Sequence, residues 1–518
     1  MPEVPARFNI STVLLDRNLD RGFGAKVAVR WQDQAVTYGE LFERACAFGR
    51  ALRDLGIRRE ERVLLVLDDS PAFPVAFLGA IRAGAVPIPT SPLLRAADYA
   101  YFMEDSCARA VVADPEVMPQ VREAANSVSD PPVLIGSRSG AEGALSLDEL
   151  LAAHGGELPP ANTHRDDMAF WLYTSGTTGK PKAAVHLQHD ILYTCETYAR
   201  HILGITEADV VFSAPKMCHA YGLGNSLSFT YWAGASAILR SGKPTAEGIL
   251  ETIARYRPTL FFGLPTLYSA ILNYPEAGNY DLSSLRLCVS GAEPLPAGIF
   301  ERWRERFGVL ILDGVGSTEM LHIYCSNAIN ALRPGSNGKP VPGYELKVVV
   351  PETQMPAKPG EVGDLYVKGD SACAFYWRQH EKTKRSILGE WFYTGDRYRV
   401  DEDGFYWYEG RADEMFKVGG LWVSPVEVEK ALMEHPAVQE AAVVGRQGEE
   451  GLTRIHAFVV LKPGQEGSEG LAEELREWCK ERLARYKYPH SVSFVSELPK
   501  TAAGKIQRFK LREELVAV

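Results

Sequence analysis

The sequence predicts an α/β enzyme of several subdomains, with a β-rich part from about residue 337 and a small α+β domain at the C-terminal end. Three observations carry this. The chain has 518 residues, which at roughly 150 residues per domain suggests about three units. Strand and helix signals alternate through the first third, the pattern of parallel sheets. From about Asn337, short strands punctuated by Gly and Pro replace that alternation.

The elements follow in order. Thr37-Tyr38-Gly39-Glu40 has the spacing of a capping box, in which hydroxyl and carboxylate satisfy each other's backbone donors. Leu41, Ala45, Phe48, Leu52 and Leu55 then recur at helical spacing until Gly56 stops the run. Val63 to Leu67 is a continuous apolar run, as a strand buried on both faces requires. A helix from Phe73 to Ala83, a strand from Ala85 to Ile88, another helix and a strand from Arg109 to Ala113 follow. In the β-rich part the expected strands are Leu346 to Val350, Leu365 to Val367, Trp391 to Tyr393, Tyr398 to Val400 and Phe405 to Tyr408, with Asp403-Gly404 as a hairpin turn. The tail predicts a helix from Ser424 to Met433, strands Val438 to Val444 and Ile455 to Leu461, and a helix from Leu471 to Arg485.

Composition excludes several classes. A hydrophobic fraction of 46% with 24% charged residues is ordinary for a globular enzyme and far from a disordered chain. The net charge of −10 comes with no basic block, so broad nucleic-acid binding, which needs clustered Lys and Arg, is not expected. Eight cysteines lie far apart with no CxxC pair, which predicts reduced thiols rather than a zinc site or disulfide framework. The start, MPEVPARFNIS, lacks the basic and apolar regions of a signal peptide. The most apolar stretch, Ser70 to Leu94, is split by Arg82 and several prolines, short of the about 20 apolar residues of a span. A cytoplasmic protein without a membrane partner is the expectation.

The chemistry concentrates in Tyr173-Thr174-Ser175-Gly176-Thr177-Thr178-Gly179-Lys180-Pro181-Lys182, which follows an apolar strand from Met168 to Tyr173. Glycines let backbone N–H groups approach a polyanion, hydroxyls donate to its oxygens and lysines neutralise its charge. It is not a Walker A loop: two residues separate Gly176 from Gly179, and Pro181 stands where Ser or Thr would hold magnesium. The decapeptide instead resembles the signature of the adenylate-forming superfamily, which includes acyl- and aryl-CoA ligases, luciferases and the adenylation domains of peptide synthetases. Further segments look like the family's motifs in the family's order. They are Ser290 to Pro294, Asp313 to Glu319, Tyr393 to Asp396, Gly410 to Glu414 and Pro499 to Lys505.

The resemblance implies an acyl-CoA synthetase-like fold, with an AMP-binding N-terminal domain over 1–410, a hinge at 411–413 and a mobile C-terminal domain over 414–518. It implies ATP and Mg2+ with coenzyme A as second substrate. Thr174, Ser175, Gly176, Thr177, Thr178 and Lys182 would hold the β- and γ-phosphates. Thr318 would contact the α-phosphate and Glu319 the metal. Gly291, Ala292, Glu293 and Asp313 would line adenine, and Asp396 and Arg411 the ribose. Lys505 would be the catalytic cation, bridging the substrate carboxylate and the α-phosphate. Asp413 would be the hinge about which the C-terminal domain exchanges Lys505 for the thioester loop Val418-Gly419-Gly420. Glu414 replaces the second Asp often found in that motif.

The family's acyl pocket draws on Lys216 to Gly224 and on residues after Glu319. Amino-acid-activating relatives carry an Asp at the Ala220 position, which argues against a peptide-synthetase domain. The Ala220 to Asn225 stretch and the pair His322-Ile323 are similar to benzoate-CoA ligases. A wall of Ala220, Tyr221, Gly316, His322 and Ile323 suits an aromatic ring. His219 departs from the aromatics of those ligases and would either hydrogen-bond a ring hydroxyl or amino group or pack as a satisfied histidine. The expected activity is an AMP-forming aryl-acid:CoA ligase for benzoate or a hydroxy- or aminobenzoate. A medium-chain or alicyclic acyl-CoA ligase and a non-catalytic nucleotide- or acyl-binding relative stay open as alternatives. Monomer and homodimer are both compatible with the sequence.

Overall fold

The computed structural model describes residues 3–138, 143–174, 180–418, 421–447, 453–484, 487–500 and 506–516. The chain divides into two compact units. One comprises residues 1–295, 299–345 and 367–392, and the other residues 296–298, 346–366 and 393–518.

The first unit holds two large sheets. In one, the strands Val86–Pro89, Arg62–Val66, Ala108–Ala113, Val133–Gly136 and Leu145–Ser146 lie side by side, all parallel. This is the sheet that the helix–strand alternation predicts. The capping box of Thr37 and Glu40 is present and opens the helix Tyr38–Asp54. The helix Ala72–Ala83 is buried on almost every side and ends at Gly84, whose φ of +90° needs a residue without a Cβ.

The second sheet has nine strands. Its centre, from Val210–Ser213 through Leu260–Gly263 and Leu287–Ser290 to Ile311–Gly316, is parallel. Antiparallel strands Ile323–Ser326 and Lys339–Pro340 extend it beyond Ile311–Gly316. A core of Phe212, Ile249, Ile253, Phe261, Tyr268, Trp303 and Ile311 covers it. A separate antiparallel group joins Met168–Thr174, Lys182–Leu187 and Phe375–Tyr376.

In the second unit the strands expected at Trp391 to Tyr393 and Tyr398 to Val400 are one, Trp391–Val400. Gly395 reads as a break, but it takes a φ of +75° without leaving the ladder, and Asp396 still pairs with Arg411 across the hairpin. The turn at Asp403-Gly404 closes that hairpin, with Gly404 at a φ of +82°. The C-terminal part packs the helices Pro425–Met433 and Glu469–Arg482 on the sheet of Val438–Gln447, Thr453–Leu461 and Ser491–Phe494. Ser424 caps the first of these helices, its hydroxyl accepting from the Glu427 N–H at 3.2 Å. The second ends at Arg482 rather than Arg485, because Leu483 turns to extended backbone. All eight cysteines are free, and all but Cys107 are buried. Among the described residues no helix is long and apolar enough to cross a membrane.

Candidate active site

The phosphate segment is framed by a hairpin in which Thr174 faces Lys182 across the two strands. Ser175, Gly176, Thr177, Thr178 and Gly179 lie outside the described residues. The frame itself is well anchored. The Tyr173 phenol donates to Asp105 Oδ2 at 2.7 Å, and the Tyr101 phenol donates to the Pro181 carbonyl at 2.8 Å. Lys180 Nζ lies 5.2 Å from the centre of the Tyr101 ring.

Lys182 meets Glu319. Its ammonium is 3.3 Å from Glu319 Oε1 and donates to the Tyr376 phenol at 2.9 Å, while that phenol donates to the same Oε1 at 2.7 Å. Burial works against a charge on Glu319, but Lys182 and the phenol outweigh it and hold the carboxyl below its ordinary range. Tyr376 belongs to no motif of the sequence, and only the fold brings it here. No cluster of three or more metal-ligating side chains exists among the described residues. Mg2+ at nucleotide sites is typically held by one or two carboxylates with substrate phosphate oxygens and water, a donor set that Glu319 fits.

The adenine motif follows the strand Leu287–Ser290. A Cβ on Gly291 would stand 3.3 Å from the Tyr221 ring, so this backbone lies directly against the aromatic wall. Ala292 takes a φ of +68°, a costly left-handed conformation for a residue with a side chain, and Glu293 beside it is half-buried. Asp313 is buried on the next strand. Its Oδ2 accepts from Asn337 Nδ2 at 2.9 Å and from the Leu295 N–H at 3.4 Å. Asn337 is a second residue that the motifs do not announce.

The predicted aryl wall assembles around His322. Its ring lies 5.5 Å from Tyr221, 4.5 Å from Phe229 and 5.2 Å from Tyr198. Burial pushes its pKa down to about 3, so the ring is neutral. With Nε2 3.0 Å from Asn225 Oδ1, an acceptor, the proton sits on Nε2. Gly224 lies flat beneath this ring, where a Cβ would approach its Cδ2 to 2.3 Å. A Cβ on Gly316 would come within 2.5 Å of the His322 carbonyl oxygen, and Gly316 pairs with Ile323 across adjacent strands. The Tyr221 phenol donates to the Val289 carbonyl at 3.3 Å, which fixes the ring edge. Ala220 and Ile323 are buried, and His219, at the start of the short helix Ala220–Leu223, is half-buried. Asn225, the last residue of the Ala220 to Asn225 stretch, completes the wall with Tyr198 and Phe229, which the sequence does not single out.

The second unit carries the remaining motifs. Arg411 Nη1 donates to Asp396 Oδ1 and to the Thr394 carbonyl, both at 3.0 Å, and its Nε is 3.5 Å from Asp413. Burial disfavours the guanidinium charge, yet Asp396 and then Asp413 more than offset it and raise the pKa further. Next to Asp413, Glu414 is 2.8 Å from Arg508, which also binds Glu429 at 2.8 Å. Val418 ends the strand Phe416–Val418, and Gly419, Gly420 and Lys505 lie outside the described residues.

Comparison with known proteins gives this assembly a family. The AMP-binding enzyme family matches residues 16–377, and the AMP-binding enzyme C-terminal domain matches residues 427–505. A benzoate–CoA ligase of Thauera aromatica is 45% identical, over 98% of this chain and 97% of its own. A 4-hydroxybenzoate–CoA/benzoate–CoA ligase of Rhodopseudomonas palustris is 42% identical, over 98% of this chain and 94% of its own. The solved structure of a benzoate CoA ligase from Burkholderia xenovorans LB400 is 47% identical, with a TM-score of 0.91 over 98% of this chain and 100% of that one. That of an anthranilate CoA ligase in complex with anthranoyl-AMP is 39% identical, with a TM-score of 0.95 over 99% of both chains. The chain therefore belongs to the AMP-binding enzymes of the adenylate-forming superfamily, with an acyl-CoA synthetase-like fold, and within them to the AMP-forming aryl-acid:CoA ligases.

Proposed function

We propose that the enzyme activates benzoate or a hydroxy- or aminobenzoate as the aryl-adenylate and transfers the aroyl group to coenzyme A. The observation that carries the choice of acid is the flat, uncharged wall of Tyr221 and neutral His322 beside Gly224, Gly291 and Gly316, with Ala220 where an Asp would pair with the charged amine of an amino acid.

A carboxylate is a poor electrophile, being anionic with hydroxide as its leaving group. Its attack on the α-phosphorus of ATP expels pyrophosphate and gives an adenylate whose AMP leaves readily. The first step brings anions together, so catalysis is mostly positioning and charge neutralisation. Thr174 to Thr178 and Lys182 take the β- and γ-phosphates, Thr318 the α-phosphate, and Lys505 the carboxylate and α-phosphate together. Glu319 would hold Mg2+, which would supply charge neutralisation on the phosphate oxygens. Gly291, Ala292, Glu293 and Asp313 line adenine. Asp396 accepts from the ribose hydroxyls with Arg411 beside it. Rotation at Asp413 then exchanges Lys505 for Val418, Gly419 and Gly420, which guide the CoA thiol to the acyl carbon. Buried, free thiols support the reducing cytoplasm as the place of action.

The test is AMP release with ATP, Mg2+ and CoA across benzoate, hydroxy- and aminobenzoates, cyclohexanecarboxylate, hexanoate and amino acids, with Lys505→Ala as control. AMP release confined to aryl acids and lost in the control is the expected result. Turnover of hexanoate above every aryl acid would move the chain to the aliphatic ligases, and ADP as product would overturn the mechanism. Loss of substituted benzoates alone in His219→Phe would assign the ring substituent to His219.

A further inference from the structure

His186 is fully buried, its ring stacked on Phe170 at 5.2 Å with the planes 17° apart. Its two nitrogens face two acceptors. Nδ1 is 2.8 Å from Asp190 Oδ2, and Nε2 is 2.9 Å from the Thr318 carbonyl oxygen. A carbonyl oxygen only accepts, so Nε2 carries the proton that reaches it, and Asp190 is the partner of Nδ1. Asp190, also fully buried, accepts the Leu187 N–H at 3.1 Å, while His189 Nε2, 3.2 Å from the other carboxyl oxygen, bonds the Asp370 carbonyl at 3.1 Å. The ring thus spans from the end of the phosphate hairpin to the backbone of the residue assigned to the α-phosphate.

The rest of the hairpin sharpens the reading. Lys182 and His186 stand four residues apart on one strand, hence on the same face. Lys182 reaches the Glu319 side chain and His186 the Thr318 carbonyl. One strand therefore holds two consecutive motif residues at two points. The Thr318 carbonyl also accepts the Leu321 N–H at 3.1 Å, with Leu321 at a φ of +66°. A second hydrogen bond, from a fully buried ring, restrains such a turn further.

We propose that His186 and Asp190 are positioning residues for adenylation, a buried histidine–carboxyl brace that holds the Thr318 turn where it meets the α-phosphate. The proposal rests on the role of Thr318 given above. Neither residue touches substrate.

The test uses the full-length enzyme and its two half-reactions, pyrophosphate release with ATP and benzoate, and thioester formation from supplied benzoyl-adenylate and CoA. Asp190→Asn and His186→Gln keep the size and part of the hydrogen bonding. Each is expected to slow pyrophosphate release about tenfold, the weight of a buried hydrogen bond, and to leave thioester formation within about threefold of wild type. Equal loss in both half-reactions, or no loss in either, would overturn the brace. Nitrogen NMR of histidine-labelled wild-type enzyme reads the ring directly and guards against misfolded variants. A His186 signal with Nε2 protonated supports the proposal, and an unprotonated Nε2 overturns it. Wild-type silence with every aryl acid, beside a protonated His186 Nε2, would fail the proposed activity and not the brace.

Discussion

Lys182 and Glu319, from two motifs 137 positions apart, lie 3.3 Å from one another and share the phenol of Tyr376. The lysine proposed for the phosphates and the carboxylate proposed for the metal are thus held together by a third residue.

Tyr376→Phe should keep the ring beneath Lys182, 4.1 Å from its ammonium, and remove the hydroxyl bridge. The expected outcome is a KM for ATP raised about tenfold, since a hydrogen bond to a charged group contributes about 1.5–3 kcal/mol, with the KM for the aryl acid changed far less. Steady-state kinetics with each substrate varied in turn checks it.

Gly224→Ala should act on the other substrate. Its Cβ would stand 2.3 Å from His322 Cδ2, and His322 is packed between Tyr221, Tyr198 and Phe229. The ring must tilt into the space taken by the aryl group. The KM for benzoate should rise at least about tenfold with that for ATP little changed, and overpacking should cost about 1–3 kcal/mol of stability. Kinetics and chemical denaturation measure the two effects.

Asp69 gives a pH dependence. It is 1% exposed, and its Oδ1 accepts from the Met217 N–H at 3.0 Å, tying it to the pocket segment. Burial raises its pKa from 3.8 to about 7, against the pull of Lys216. The folded state therefore binds this proton more tightly than the unfolded chain. The stability it contributes is complete below about pH 4 and is lost as pH rises through about 7. Asp69→Asn stays neutral and keeps an acceptor for Met217. Its Tm should match wild type near pH 4 and exceed it by a margin that grows up to about pH 7, read from thermal melts across that range.

Arg508 lies between Glu414 and Glu429, 2.8 Å from each. Arg508→Met would leave two buried carboxylates without their cation, a loss of about 3–5 kcal/mol when one partner of a buried pair is removed. Arg508→Lys should recover part of it. Denaturant unfolding followed by Trp fluorescence distinguishes the two variants.

The chemistry was legible wherever backbone and side chain form one contiguous motif. Gly291, Asp313, Glu319, Asp396 and Arg411 were named from runs of four to seven residues. Tyr376, Asn337 and Arg508 were not, because each acts from an element distant in sequence and alone carries no pattern. Tyr376 becomes a neighbour of Glu319 only because its short strand pairs with the phosphate hairpin. Local signals succeeded for the helix Tyr38–Asp54, whose cap and apolar spacing agree. They failed at Gly395, where a left-handed residue sits inside a continuous ladder instead of ending it.

The buried cysteines bear on what the enzyme must avoid. An aryl-adenylate acylates any thiolate within reach, and Cys218 stands next to His219 in the pocket segment. Burial, with Asp69 nearby, raises the pKa of the Cys218 thiol far above its ordinary value, so it stays protonated and unreactive. A thiol-seeking adenylate thus finds Cys218 out of the competition, and the acyl group is left for the thiol that diffuses in.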